Sequence, residues 1–316
     1  MTSNLNQKPL HIVLGASGGA GLAILKELFQ QDQNVIGVNS SGKVPFEGAN
    51  IIKADALNVT DLVQACKGAD YIYHAVNVPY QQWPEKLPKI LDNVIEATKQ
   101  NQAKLIYVDN LYAYGPVDKA MTEDLPNGAT DVKGKLRGEL TDKLLQLNSK
   151  GIIQVAIVRG SDFYGPQTNA HLGDLVFRNI LADKPAQIVG NIDKLHTYTY
   201  VKDFARAIVF ISTKDKAYGQ IWHTPNSPTT STKELLEEIF RQAGKTPKIQ
   251  AIQGLMFNVL ALFVPIMKEF KPINYQRSRD YIVDHSKFEK AFGHFETTSY
   301  KQAIAETWDW YKSTSN

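Results

Sequence analysis

Short apolar, β-branched runs alternate with stretches of helical periodicity through the first half of the chain. Residues 11–14 (HIVL) read as a buried strand; beyond it Leu22, Ile24, Leu25, Leu28 and Phe29 recur at helical spacing. Further strands are predicted at 34–38, 50–53, 70–75, 104–108 and 152–158, with helices at 57–66, 90–100 and 132–149. Asn58 or Thr60 is the expected cap of the 57–66 helix. Residues 79–88, with three prolines and Trp83, read as a loop. Six short apolar strands separated by helices predict an α/β chain, a parallel sheet covered on both faces with right-handed crossovers.

Beyond Arg159 the alternation stops. Helices are expected at 171–181, 232–243 and 255–270 and short strands at 186–189 and 197–201, with a helix at 203–212 returning to the main sheet. The domain expectation is therefore a sheet domain over 1–165 plus that return helix, and a smaller, mostly helical C-terminal lobe over 166–202 and 213–316.

Between the first strand and the first helix stand Gly15, Gly18 and Gly21. Three glycines at this spacing let the backbone turn tightly, let a diphosphate approach the first-turn amides and let the helix pack close on the sheet. A tight turn without a ligand is the bland alternative. A net charge of +3, dispersed along 316 residues, leaves no nucleic-acid footprint. Cys66 is the only cysteine, so no internal disulfide forms. The seven histidines show no paired metal-ligand spacing, and no Gly-x-Ser-x-Gly elbow is present. The polar start MTSNLNQKPL lacks a signal-peptide core, and the apolar run 255–267 is too short to cross a bilayer. A cytoplasmic protein without metal, membrane or nucleic-acid partner is expected.

Six motifs occur in a telling order. They are Gly15-x-x-Gly18-x-x-Gly21, Asp55 after the third strand, Tyr73-His74-Ala75-Val76, Tyr107-Val108-Asp109-Asn110 with Tyr114-Gly115-Pro116, Val158-Arg159 with Asp162-Phe163-Tyr164-Gly165-Pro166, and Tyr198-Thr199-Tyr200-Val201-Lys202-Asp203. With them the chain resembles the extended branch of the short-chain dehydrogenase/reductase superfamily, the nucleotide-sugar epimerase and dehydratase group. The resemblance implies a Rossmann-like, doubly wound NAD(P)-binding domain and a C-terminal substrate lobe. It implies that Gly15, Ser17, Gly18, Gly19 and Gly21 hold the pyrophosphate and that Asp55, with Ala56, receives the adenine. It also implies that Ala75 and Val76 line the nicotinamide ribose, and that the backbone from Ser161 to Phe163 faces the carboxamide. Asp55 as a helix cap, Asp203 as a structural cap and His74 as a packed core histidine are the alternative readings of those side chains.

An NAD enzyme usually carries a carboxylate at the exit of the second strand. Here Asn39, Ser40 and Ser41 stand there with Lys43 close by, a set that suits a 2′-phosphate, so NADP is favoured over NAD. The resemblance also implies a Tyr-x-x-x-Lys pair, in which lysine holds the ribose and lowers the tyrosine's pKa. Lys135 best matches that lysine, which puts Asp131 at the tyrosine position; registering Lys133 instead puts Ala129 there. Asp109 and Asn110 occupy the place of the partner Ser or Thr. Asp109, Tyr112, Asp131 and Lys135 are therefore the catalytic candidates, with Tyr114 and Tyr164 as further proton carriers. The functional expectation is an NAD(P)-dependent oxidoreductase or epimerase-like enzyme acting on a small carbonyl or hydroxyl substrate, to which Trp83, Trp222, His223, Arg277 and Arg279 are candidate contacts. A dinucleotide-binding sensor without turnover is the alternative. A homodimer would pair through the helices at 90–100 and 132–149.

Overall fold

Every strand of the predicted sheet forms, and the sheet's order explains where the loops gather. The computed structural model, which describes residues 8–168 and 171–314, contains β1 (Leu10–Leu14), α1 (Gly19–Gln30), β2 (Asn34–Asn39), β3 (Asn50–Lys53), α2 (Val59–Ala65) and β4 (Tyr71–His74). These are followed by α3 (Trp83–Asn101), β5 (Lys104–Asp109), α4 (Val132–Ser149) and β6 (Gln154–Arg159). A seventh strand, Gln220–His223, was not expected; it closes the sheet beside β6, in the order Gln220–His223, β6, β5, β4, β1, β2, β3. Order therefore reverses between β1 and β4, the place where open α/β sheets bind ligands. The parallel register aligns Leu14 with Val38 and with His74, and His74 with Tyr107. The chain consequently leaves β1, β2, β4 and β5 at one edge.

By its internal contacts the chain divides into two units. One comprises Met1–Asp109, Glu139–Val158 and Ala205–Ile221, the other Asn110–Gly138, Arg159–Phe204 and Trp222–Asn316. The changes of unit fall after residues 109, 138, 158, 204 and 221. Residues 110–138 go with the second unit because Leu111, Tyr114 and Met121 bury against Tyr281 and Val283.

Two helices depart from expectation, both at proline. The predicted loop at 79–88 is a 3-10 turn, Tyr80–Gln82, running into α3, so the expected 90–100 helix starts seven residues early. Pro84 sits in the first turn, where a missing N–H costs nothing, and Pro88 gives up one helical hydrogen bond. Buried Trp83, Leu87, Ile90, Leu91 and Val94 offset that loss. In the other case the single helix expected at 255–270 is two, Gly254–Phe263 and Pro265–Phe270, because proline forces Val264 into an extended conformation (φ −106°, ψ 110°). Asn58 is the observed cap of α2, accepting from the N–H groups of Thr60 and Asp61.

The second unit has its own core around Phe177, which stacks on Tyr311 and meets Trp308 edge-on, both at 4.8 Å between ring centres. The helix Tyr300–Ser313 that supplies these rings was not foreseen. Asp203 is structural, accepting from the N–H (2.7 Å) and hydroxyl (2.8 Å) of Thr298, just before that helix. No described helix is long and apolar enough to cross a membrane.

In the first unit a buried polar chain ties β1 to β4 and to the helix Val201–Ser212. The Tyr73 hydroxyl donates to Ser212 Oγ (2.9 Å) and accepts from His11 Nδ1 (3.0 Å). Burial pushes the His11 imidazole down to about 4, against the pull of Asp70. Between pH 6.5 and 4 the unfolded chain therefore takes up a proton that the native imidazole refuses. Stability should fall by on the order of 2 kcal/mol as pH drops through that window and level off below it. Urea unfolding of wild type and His11→Gln at pH 7, 5.5 and 4 reads this directly: the wild-type loss exceeds the variant's by about that amount, and equal slopes would refute it.

Candidate functional site

The turn from β1 into α1 is shaped by contacts that admit no side chain. Gly15 has φ +82°, and a Cβ there would lie 2.7 Å from the Ala75 carbonyl oxygen. A Cβ on Gly21 would lie 2.2 Å from the Gly15 carbonyl oxygen. These two glycines bring α1 down on the sheet. Gly18 differs: its Cβ would meet only the Gly15 oxygen, at 3.5 Å, so its outer side is open. Ser17 and Gly18 are exposed, no side chain among the described residues caps α1, and its first turn carries no acid. The start of α1, at Gly19, thus offers amide donors and the positive end of a helix dipole, and a pyrophosphate fits that chemistry.

The neighbouring strand ends bring the other predicted cofactor residues of this unit to the same edge. Asn39 is spent on its own turn: Oδ1 accepts from Ser41 N (3.0 Å), Ser41 Oγ (2.9 Å) and Gly42 N (2.7 Å), while Nδ2 donates to the Lys43 carbonyl (2.9 Å). That leaves Ser40 and Lys43, both exposed, as the groups a ribose or its phosphate could meet. Asp55 is exposed, and its Oδ1 accepts from Leu57 N (2.9 Å). It is not the cap of α2, a place Asn58 holds, so its second oxygen is open to an adenine amino group. The Ala56 carbonyl accepts from Asn93 Nδ2 (2.9 Å), and Ala75 and Val76 are half-buried. His74 is a packed histidine, tilted against Tyr107 and receiving the Val76 N–H at 3.4 Å. Asp109 is buried at the end of β5, where its Oδ2 accepts from Thr141 Oγ1 (3.3 Å).

The remaining catalytic candidates lie in the second unit. Asp131 Oδ1 accepts from the N–H groups of Lys133 and Gly134, both at 3.0 Å, and so caps α4. Gly134 lets that first turn press against the 3-10 turn Tyr112–Tyr114, since a Cβ there would lie 2.5 Å from the Tyr112 carbonyl oxygen. The Tyr112 N–H is itself held by Asn110 Oδ1 at 2.9 Å. Lys135 is exposed on α4; it is Lys133 that is buried, paired with Glu269 at 2.8 Å. Tyr114 is committed elsewhere. His223 Nδ1 donates to the Asp284 carbonyl (2.8 Å), which leaves Nε2 to accept the Tyr114 hydroxyl at 2.7 Å. Burial pushes the His223 imidazole down to about 3. Ser161 donates its N–H to Thr199 Oγ1 (2.9 Å), its Oγ is buried without a hydrogen-bond partner among the described residues, and Phe163 packs edge-on to Phe204.

Of the aromatic and basic substrate candidates, Trp83 and Trp222 are packing residues: Trp83 donates to the Val78 carbonyl and Trp222 lies against Phe292. Arg279 pairs with Asp118 at 2.9 Å. Arg277 belongs to a cluster that sequence spacing did not show. Asp162 Oδ2 lies 3.4 Å from His196 Nε2 and 3.6 Å from Arg277 Nη2, beside a small cavity lined also by His171, Gly190 and Lys194. Burial alone would push the Asp162 carboxyl up; Arg277, His196 and His171 outweigh it and hold it well below the usual carboxylate range. Among the described residues no group of three or more His, Cys, Asp or Glu side chains is placed to hold a metal.

Among curated relatives, an uncharacterized protein of Sinorhizobium fredii, y4nG, is 26% identical over 323 residues, covering 96% of this chain and 78% of its own length. An uncharacterized UDP-glucose epimerase of Bacillus subtilis, YtcB, is 23% identical over 245 residues, 66% of this chain and 74% of that one. Among solved structures, dTDP-glucose 4,6-dehydratase from Bacillus anthracis in complex with NAD matches 97% of each chain with a TM-score of 0.80 at 17% identity. A sequence profile of one family spans residues 11–224, two thirds of the chain and all six strands expected of the sheet apart from the first residue of β1. The chain belongs to the NAD dependent epimerase/dehydratase family.

Proposed function

We propose that this protein is an enzyme that uses a nicotinamide dinucleotide to move a hydride at a hydroxyl or carbonyl carbon of a sugar nucleotide. The observation that carries the reading is the glycine turn, closed at Gly15 and Gly21 yet open at Gly18, beneath an uncapped helix start. The sugar nucleotide is supported by the relatives, whose names give UDP-glucose and dTDP-glucose chemistry. In this reading Asp55 receives the adenine, Ala75 and Val76 flank the ribose, Lys135 is the ribose-binding cation, and Ser161 Oγ meets the carboxamide. With Asn39 in place of a carboxylate and Lys43 exposed beside it, the cofactor is NADP rather than NAD. A cytoplasmic location and a homodimer through α3 and α4 belong to the same proposal.

Calorimetric titration with NADPH and NADH tests it. NADPH should bind in the micromolar range and more tightly than NADH, and Lys43→Ala should cut that preference by about fivefold to tenfold. The decisive variant is Gly18→Val, whose extended backbone (φ −79°, ψ 159°) suits any residue. Its thermal midpoint should match wild type while dinucleotide affinity falls by more than about tenfold, because the added side chain fills the space of the diphosphate. Unchanged affinity in Gly18→Val, or no binding of either dinucleotide to wild type, would overturn the assignment of the turn.

A further inference from the structure

The helix Gly254–Phe263 of the second unit is apolar on two opposite sides. Inward, Phe257 and Ala261 are buried, and Phe257 and Leu260 pack with Val189 and Ile252. Outward, Leu255, Leu262 and Phe263 are 80%, 76% and 79% exposed, more than any other large apolar side chain among the described residues. Met256 and Val259 are exposed on the same helix. At 3.6 residues per turn these five positions fall within about 120° of arc, one continuous stripe with exposed Asn258 at its margin. Packing of the unit uses only the inward side, so the outward stripe calls for a partner.

The charge around the stripe narrows what that partner is. No charged residue occurs between residues 249 and 267, and the next three are Lys268, Glu269 and Lys271. Glu269 is spent on Lys133 at 2.8 Å, while Lys268 and Lys271 are exposed. Glu269 is also the only acid between residues 239 and 279. An uncharged apolar stripe is thus followed directly by two solvent-facing cations.

We propose that this face lies on an anionic lipid bilayer, with the stripe set among the outer acyl chains and Lys268 and Lys271 against the phosphates. A helix of ten residues is too short to cross a bilayer, but lying along one asks only for an apolar side and cations at headgroup level. The membrane partner that the sequence gave no reason to expect is supplied by the side of the helix left uncovered. A second copy of the chain fits less well, because this segment offers the lysines no free acid in either direction of pairing. A soluble acidic peptide answers the lysines and leaves five apolar side chains in water. An anionic bilayer answers both and needs no matching shape. The proposal is independent of dinucleotide binding.

Co-sedimentation of the whole chain with vesicles of phosphatidylcholine alone, and with about 30% phosphatidylserine added, tests it. Wild type should bind the mixed vesicles at least about tenfold more tightly than the neutral ones, and less tightly as salt is raised. Leu262→Ser combined with Phe263→Ser should weaken binding to mixed vesicles by more than about tenfold. Lys268→Gln combined with Lys271→Gln should bring it to about the level on neutral vesicles. Leu175→Ser, at an exposed leucine on another helix, should bind as wild type does. All thermal midpoints should stay at or above that of wild type, since every substituted side chain faces solvent. Wild type that stays off the mixed vesicles, or binding that the Leu262 and Phe263 variant leaves unchanged, overturns the proposal. Equal binding to neutral vesicles overturns the choice of an anionic lipid. Wild type that ignores both vesicles and forms a dimer lost in the Leu262 and Phe263 variant, read by light scattering, overturns it in favour of a second copy.

Discussion

The closeness of α1 to the strand it follows governs the first unit. With the Gly15 carbonyl oxygen 2.2 Å from where a Gly21 Cβ would stand, helix and turn are in backbone contact. The same approach holds Gly15 against Ala75 and Val76, the exit of β4. One steric constraint thereby sets the height of the helix start above the sheet and its distance from the neighbouring loop. The parallel register then carries Asn39, Asp55, Ala75 and Asp109 to that edge with no further device, because strands paired in step end in step. A site built in this way depends on backbone amides and strand ends more than on particular side chains, which fits a ligand whose most demanding part is a diphosphate.

Short polar side chains near this edge and at the start of α4 are mostly occupied with the chain's own backbone. Asn39 closes its loop, Asp55 holds Leu57, Asn58 caps α2 and Asp131 caps α4. Asn and Asp are the side chains best suited to such local bonds, so their presence beside a predicted ligand is weak evidence of contact. What distinguishes Asp55 is exposure: one oxygen serves the turn and the other faces solvent. Asp131 has one oxygen fixed by the first amides of α4.

The sheet and its glycine turn were legible because they follow from local patterns: apolar runs of strand length, a glycine spacing and helical periodicity. What was not legible follows from interactions between distant residues. Pro88 reads as a breaker unless the burial of Trp83, Leu87 and Ile90 is known, and burial is a tertiary fact. The cluster of Asp162, His171, His196 and Arg277 is drawn from four segments with no shared spacing. The inversion between Lys135, chosen by motif register, and Lys133, buried against Glu269, arises because an acid more than a hundred residues away decides which face of α4 is covered. The helix Tyr300–Ser313 carries enough Trp, Tyr and Thr to blunt its periodicity, and only its packing on Phe177 shows which side is inside.

The two units differ in how completely they satisfy themselves. In the first, buried polar side chains have partners: His11 with Tyr73, Tyr73 with Ser212, Thr98 with the Val94 carbonyl and Asp109 with Thr141. In the second, Ser161 Oγ, the Tyr164 hydroxyl and Asn274 Oδ1 are buried and lack hydrogen-bond partners among the described residues. Folding alone gives no reason to keep such groups, since apolar residues of the same shape would be as stable or more so. The contrast has a chemical source. A diphosphate is recognised by main-chain donors that any folded turn supplies, whereas a sugar is recognised through its hydroxyls, mostly by side chains. On the proposed sugar-nucleotide reading the cost of substrate specificity falls on the second unit, and a bound sugar then stabilises that unit more than a bound dinucleotide does.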